Sequence, residues 1–514
     1  MTAVHSAAAP RHEEPADQPL DLVSRLIRRL AQEQVRYCHW KSNEHLGAAL
    51  AGATDLDLLV DHEAAALVTQ LLVEVGFKRF TAPSEITYVG VEDYLGLDEE
   101  TGRLAHVHLH YRLVLGEKFL KGYRLPWEDT LLASRRVDSA SGMYVCDPSL
   151  ELLLLLLRAA IKLRRRDRLS ARRRRLYASG DFEREYVWLV ARMSRERLGN
   201  LAHELVGPEA AAVVTSMVPE VPSTAQLLDL RRAVAPVLDR FRTFDRRGAD
   251  LQRWRREWRS RSGRALRRYL GIRVPIGFTV PRGGVMVAFV GADGSGKSTV
   301  VRAVSAWLAW RLETVPVYLG FGDGRVSLSR SVLQTLARVW TRSTKSRSDT
   351  PSPVSAEAPT GLSHRTRTAW RVLWAGSIVR EKQARMRQAV RARNLGQVVI
   401  CDRYPQAQIE ELGDGPLLGR LEVAPAAWRS ASRWELKAYQ QMEAIAPDLV
   451  VKLHVSPEVS ARRKRDVSLE SLRQRVEVVQ KLRFARATRV VEIDSDQPLD
   501  QVLLQVKRAV WDAL

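Results

Sequence analysis

The chain has 514 residues, with 81 Lys and Arg against 59 Asp and Glu, a formal net charge of +22, and 45% hydrophobic residues. This length allows roughly two to four domains with full cores, and the composition is that of a globular chain, which excludes a disordered or fibrous one. Three scattered cysteines, Cys38, Cys146 and Cys401, exclude a disulfide framework and a thiolate zinc site and fit a reducing compartment, while the arginine-rich charge calls for an anionic partner.

Residues 1–18 show no charged-then-apolar signal pattern and read as a disordered lead-in, so a cytoplasmic location is expected. Residues 19–177 form an α+β unit. Leu22, Val23, Leu26, Ile27 and Leu30 recur at helical spacing, and Thr54–Val60 and Ala105–His110 alternate with period two. Asp55 and Asp57 therefore share one face of a strand, a pairing that can hold a divalent metal. His106, His108 and His110 also share a face; histidines so spaced suit a metal or simply line a half-exposed strand. The run Leu150–Leu157, interrupted by Glu151, is too short to span a bilayer and reads as the start of a buried helix.

Residues 178–273 read as a basic helical connector. Leu251, Trp254 and Trp258 lie on one face amid Arg253, Arg255, Arg256 and Arg259, the pattern of an apolar stripe with a solvated arginine face. A nucleic-acid platform is the alternative, although a small anionic substrate suffices to explain the charge. Residues 274–284, with two prolines and three glycines, read as a linker to a domain over 285–514. Within it, 341–367 is rich in Ser, Thr, Pro and Arg and reads as a mobile insertion.

Gly291, Ala292, Asp293, Gly294, Ser295, Gly296, Lys297 and Ser298, followed by Thr299, form a complete G-x-x-x-x-G-K-[ST] phosphate loop between an apolar strand and a helix-forming stretch. Its amides can turn toward phosphate, Lys297 can reach the β and γ phosphates, and Ser298 can hold Mg²⁺, so ATP and Mg²⁺ are the expected cofactors. Downstream, strands and helices alternate, which predicts an α/β fold with a parallel sheet flanked by helices. Asp402, Arg403 and Tyr404 follow a buried strand, where such sheets bind ligands. Asp402 is the natural partner for Mg²⁺ beside Ser298, and Arg403 is a candidate phosphate clamp.

The segments GADGSGKST, GQVVICDRY, PDLVVKLHVSPEVSARRKRD and VVEIDSDQPLDQV, in that order over Gly284 to Leu514, resemble the thymidylate kinase family. The resemblance implies a P-loop nucleoside monophosphate kinase in which ATP donates its γ-phosphoryl group to a bound nucleotide. It implies that Asp293 faces the acceptor sugar, that Arg403 and Tyr404 line the acceptor site, that Arg380 is the upstream helix arginine, and that Arg462, Arg463, Lys464 and Arg465 form the lid. The phosphate loop contains no arginine, so the resemblance puts the catalytic arginine at Arg462 or Arg463. The segment PQAQIEELGDGPLLGR departs from the family's thymine-recognition pattern, and Asp414, Pro416 and Arg420 are candidates for a different acceptor pocket. A kinase for a sugar or polysaccharide precursor, with Asp293 or Asp402 as base, is the alternative; an ATP-gated nucleic-acid-binding or regulatory protein is another of a different class. The expected partners are a nucleoside monophosphate or other small phosphorylated acceptor and, as a homodimer, a second copy of the chain.

Val35 to Leu163 resembles the nucleotidyltransferase superfamily, with Lys41, Ser42 and Asn43 where a Gly-Ser pair is usual. The third carboxylate of that family has no evident counterpart, so both an active transferase and a binding or regulatory module made from the same fold remain open.

Overall fold

The computed structural model describes residues 18–117, 119–163, 180–269, 274–320, 362–410, 414–419, 426–464, 467–484 and 486–514. Residues 1–17 of the expected lead-in, 341–361 of the expected insertion, Arg420 and Arg465 lie outside that set. Among the described residues no helix is long and apolar enough to cross a membrane. The chain divides into two compact units, Met1–Phe278 and Thr279–Leu514.

The first unit contains strands β1 (Tyr37–His39), β2 (Asp55–Val60), β3 (Phe77–Phe80), β4 (Val91–Leu97), β5 (Leu104–His110), β6 (Leu113–Glu117), β7 (Leu120–Leu125), β8 (Arg136–Val137) and β9 (Tyr144–Val145). Strands β6 and β7 form a separate two-stranded ribbon, with Tyr123 of β7 also bridging Arg242, and the other strands form a mixed sheet in the order β3-β4-β5-β2-β1-β9-β8. Helices α1 (Asp21–Gln32), α2 (Leu46–Leu50), α3 (Ala65–Val75) and α4 (Glu128–Ala133) belong to this layer. Helix α1 buries Leu22, Val23, Leu26 and Leu30, the stripe that its sequence period predicts.

Helix α5 (Pro148–Lys162) starts where the Asp147 carboxylate accepts from the amides of Ser149 and Leu150 at 2.9 and 3.4 Å, with Pro148 in its first turn. Leu150 and Leu152 to Leu157 are all buried. A helix that is apolar all round needs cover all round. Here Cys38, Leu59 and Leu113 lie on the sheet side and Tyr186, Leu198, Val214 and Leu227 on the other, drawn from α6 (Gly180–Val190), α7 (Arg195–Val206), α8 (Pro208–Met217) and α9 (Thr224–Leu238).

Helix α10 (Arg246–Tyr269) overturns one expectation. Its apolar stripe is not packed within the unit: Leu251, Trp254 and Trp258 are exposed. The face beside that stripe docks instead, with Arg253 Nη1 3.3 Å from Glu117 and the Arg256 guanidinium 5.6 Å from the Tyr88 ring centroid. Period alone tells which residues share a face, and the available carboxylate and aromatic ring decided which face found partners.

The second unit has a five-stranded parallel sheet of β10 (Met286–Gly291), β11 (Thr314–Tyr318), β12 (Val398–Asp402), β13 (Leu449–His454) and β14 (Arg489–Asp494), in the order β11-β12-β10-β13-β14. It is accompanied by α11 (Lys297–Ala309), α12 (Leu362–Asn394), α13 (Ala426–Glu443), α14 (Pro457–Arg463), α15 (Leu469–Lys481) and α16 (Leu499–Ala513). Residues 362–367 of the expected insertion thus open a helix. Strands β10, β12 and β13 are buried almost throughout, as strands covered on both faces must be. The chain leaves β10 for β11 on one side and later crosses to β13 on the other, so the strand order reverses beside β10. Register pairs Phe289 with Asp402 and Gly291 with Leu453, so the carboxyl ends of β10 and β12 open together at that switch point.

Candidate functional site

The loop 291–298 runs from the end of β10 into α11. Gly294 and Gly296 have φ of +80° and +78°, conformations that favour glycine. Close approach matters as well: a Cβ at Gly291 would lie 2.8 Å from the Leu453 carbonyl oxygen, and one at Gly294 would lie 2.9 Å from Ser460 Oγ. Ser460 Oγ donates to the Asp293 carbonyl at 2.7 Å and ties the loop to α14. The first turn of α11 has no side-chain cap, which leaves the helix's positive end facing the loop.

Lys297 is buried and donates to the carbonyls of Gly291 and Ala292 at 2.6 and 2.7 Å. Burial, and then the nearby Arg403 guanidinium, push its pKa down to about 8. Ser298 Oγ donates to Asp402 Oδ2 at 3.3 Å. The other oxygen of Asp402 and the hydroxyl of buried Ser295 have no hydrogen-bond partner among the described residues. Burial raises the Asp402 pKa above the carboxylate norm despite the opposing Lys297 and Arg403 charges. A hydroxyl and a carboxylate with a free lone pair, side by side, form an oxygen-donor set suited to Mg²⁺.

Arg403 sits at φ +70°, uncommon for a residue with a side chain, and its amide donates to the Phe289 carbonyl at 3.0 Å. Its guanidinium reaches Asp414 at 3.1 Å and Asp293 at 3.3 Å. The second oxygen of Asp293 is held by Arg475 of α15. Burial would raise the Asp293 pKa, but Arg403, Lys297 and Arg475 together hold it below the usual value. Arg463 donates to the carbonyls of Gly294 at 3.2 Å and Ser495 at 3.0 Å. Lys297, Arg403, Arg463 and Arg475 therefore converge on one loop.

The remaining expected residues are placed differently. Arg462 and Lys464 are exposed, as are Arg463, Ser298 and Thr299, and so is Arg380. From α12 it is Lys382 and Arg385 that turn inward: Lys382 is buried and donates to the Asp414 carbonyl at 3.2 Å, and Arg385 donates to the Tyr318 carbonyl at 2.8 Å. Burial lowers the Lys382 pKa to about 8. The buried positions Ala375, Ile378, Val379, Lys382, Met386 and Ala389 follow a helical period, a signal that points to Lys382 in the sequence itself. Tyr404 is buried in the core of the unit, and its hydroxyl donates to the Ile445 carbonyl. Arg475 had no sequence signal beyond its charge.

In the first unit Asp55 and Asp57 do share a sheet face, and each meets a histidine at matched register: Asp55 opposite His106 and Asp57 opposite His108. Asp55 Oδ1 is 2.8 Å from His106 Nδ1, and the other nitrogen of that ring is 3.0 Å from Asp93 Oδ1. The strand beside β2 offers histidines and no carboxylate, as its sequence implies; Asp93 stands one strand further, on β4 opposite His108, a pairing that no local pattern discloses. Asp57 Oδ1 is 2.7 Å from Lys41 Nζ and 3.0 Å from His108 Nδ1. Burial opposes its ionisation, but Lys41 and the histidines hold its pKa well below the usual carboxylate range.

No family model matches the chain. Over 233 residues, 45% of this chain and 93% of the other, it is 29% identical to the "Uncharacterized ATP-binding protein YghS" of Escherichia coli K12. It is also 29% identical to YghR of the same strain over 231 residues, 44% of this chain and 86% of that protein. A thymidylate kinase of Limosilactobacillus reuteri is 22% identical over 242 residues, 45% of this chain and 96% of that protein. The crystal structure of thymidylate kinase from Ehrlichia chaffeensis covers 44% of this chain and 98% of its own at 14% identity, with a TM-score of 0.24. The sequence likenesses support a thymidylate kinase-like P-loop fold for about 45% of the chain.

Proposed function

We propose that the second unit transfers the γ-phosphoryl group of ATP to the phosphate of a nucleoside monophosphate. The observation that carries this reading is the convergence of Lys297, Arg403, Arg463 and Arg475 on the phosphate loop. The names of the relatives, ATP-binding protein and thymidylate kinase, agree with it.

A monophosphate acceptor is mostly dianionic near neutral pH, its second pKa being about 6, so the reaction needs no general base. It needs cations that hold two polyanions together and neutralise charge spread over the transferring group. In this reading Lys297 leaves its two loop carbonyls for the donor phosphates. Arg403 orients the acceptor phosphate while Asp293 and Asp414 fix the guanidinium plane. Arg463 acts from the lid, and Lys382 and Arg385 line the acceptor side. Ser298 and Asp402 would hold Mg²⁺, which supplies charge neutralisation on phosphate oxygens when bound. The first unit is read as a nucleotidyltransferase-like module joined to this kinase, in a cytoplasmic protein.

The test is the full chain with ATP and a panel of nucleoside monophosphates and sugars, followed by ADP release. Turnover is expected with at least one monophosphate. Best turnover with an acceptor that lacks phosphate would replace this reading by a hydroxyl kinase, for which Asp402, with its unpartnered oxygen, is the base candidate.

A further inference from the structure

We propose that the first unit binds one divalent transition-metal ion of the zinc class through Asp57 Oδ1, His108 Nδ1 and His110 Nε2. The three atoms form a triangle with edges of 3.0 Å (Asp57–His108), 3.3 Å (His108–His110) and 3.6 Å (Asp57–His110). An ion with tetrahedral bonds of about 2.0–2.1 Å separates its ligand atoms by roughly 3.3 Å. The observed edges bracket that value, so the three donors stand as one face of a tetrahedron before any ion enters.

The backbone sets this triangle. Parallel register puts Asp57 beside His108, and the two-residue strand period returns His110 to the same face. Hydrogen bonding alone explains the cluster poorly. His108 Nδ1 faces a carboxylate oxygen and a second imidazole nitrogen at once, yet one ring nitrogen has one lone pair or one hydrogen to offer. His110 is buried, and its polar contacts among the described residues are Asp57 and His108 alone, with Nδ1 unpartnered. Its ring is thus aimed at the triangle and at no other polar group.

The donor chemistry selects the ion. Two imidazoles and one carboxylate suit zinc and its neighbours, whereas magnesium prefers oxygen. Asp55 and Asp93 each spend one oxygen on His106, whereas the Asp57 oxygen faces both His108 and His110. Lys41 Nζ lies 2.7 Å from the oxygen that would ligate, so its ammonium occupies ground that an entering cation must take. Lys41 is a competitor for the site.

The test uses tag-free full chain stripped of metal with a chelator and titrated with Zn²⁺ by calorimetry in the presence of millimolar Mg²⁺. One equivalent should bind. His108→Ala and His110→Ala should each weaken binding by at least about tenfold, the lower end of what even an outer-sphere partner contributes. His106→Ala should still bind, and Lys41→Met should bind more tightly than the wild type. Co²⁺ added to the wild-type protein should give visible d–d bands of a tetrahedral nitrogen-containing site, which keeps the proposal testable if a histidine variant fails to fold. No stoichiometric Zn²⁺, displacement by Mg²⁺, wild-type affinity in both His108→Ala and His110→Ala, or no gain in Lys41→Met would each overturn it.

Discussion

Replacing Lys297 by methionine separates what this residue does for the fold from what it does for the ligand. In the ligand-free protein the ammonium is buried and its pKa falls from 10.5 to about 8, which corresponds to roughly 3 kcal/mol by which the charged form is disfavoured. Its two hydrogen bonds to Gly291 and Ala292 offset this, at about 1.5–3 kcal/mol each for a charged donor. Methionine retains the apolar stem, so stability should change by no more than about 3 kcal/mol, a shift of several degrees in Tm for a unit of this size. Phosphoryl transfer should fall at least about a hundredfold, the loss typical of one donor at the reacting group. The pH dependence supplies an internal control. Below about pH 8 the folded chain carries the whole cost of the buried charge; between about 8 and 10.5 the unfolded chain holds the extra proton, so this group's contribution to ligand-free stability improves with pH. Bound phosphates favour the charged form, so ATP affinity should run the opposite way and weaken by up to about tenfold per pH step above about 8. In Lys297→Arg, charged at every accessible pH, that dependence should vanish. Calorimetric titration of ATP at successive pH values, beside a coupled ADP assay, reads both. Undiminished transfer in Lys297→Met, or wild-type affinity that is flat across this range, would refute the reasoning.

Gly294→Ala should lower Tm and abolish tight ATP binding together, because its Cβ would sit 2.9 Å from Ser460 Oγ in a left-handed conformation that costs about 1–2 kcal/mol; a thermal melt with and without ATP reads this. Arg463→Ala, which removes the contact to the Gly294 carbonyl, should slow phosphoryl transfer at least about tenfold, whereas Arg462→Ala should change it less; steady-state rates for the pair decide. Glu151 is buried, and burial pushes its pKa from 4.5 to about 8. The fold therefore favours its protonated form. That contribution is complete below about pH 4.5 and lost as pH rises to about 8, so calorimetric Tm of the first unit should fall over this range in the wild type and flatten in Glu151→Gln. Leu153→Ala, fully buried in α5, should cost about 2–5 kcal/mol in denaturant unfolding.

What was legible in the sequence is what depends on neighbours along the chain. The phosphate loop, its flanking strand and helix, and the parallel sheet follow from local pattern, because a strand buried on both faces reads as an unbroken apolar run. The positions of Asp402 and Arg403 at a strand end were legible for the same reason. Arg475 and Asp93 were not: the first reaches Asp293 from a helix far along the chain, and the second meets His106 and His108 only through the pairing of β4 with β5. Arg380 and Lys382 mark the boundary between these cases. A resemblance selects a residue type near a position, but two residues along a helix is a rotation of about 200°, and the period of buried positions puts Lys382 on the inner face.

A similar contrast separates the phosphate loop of the second unit from the turn at residues 41–43 of the first. In the second unit the loop amides precede an uncapped helix end, and the side chains around them are mostly cations. In the first unit the turn at Lys41, Ser42 and Asn43 has already spent its amides: Ser42 N donates to Glu185 at 3.2 Å, and Asn43 donates to Glu151 through its backbone N at 3.0 Å and its side chain at 2.7 Å. A triphosphate seated there would have to displace the Glu185 and Glu151 side chains from these donors. Backbone recognition of phosphate, the use to which a Gly-Ser turn is suited, is therefore closed at this position, and Lys41 is turned toward Asp57 instead. The turn of the first unit is engaged by the unit's own acidic side chains, whereas the loop amides of the second unit precede an uncapped helix end, and the histidine face is left as the chemically open part of the first unit.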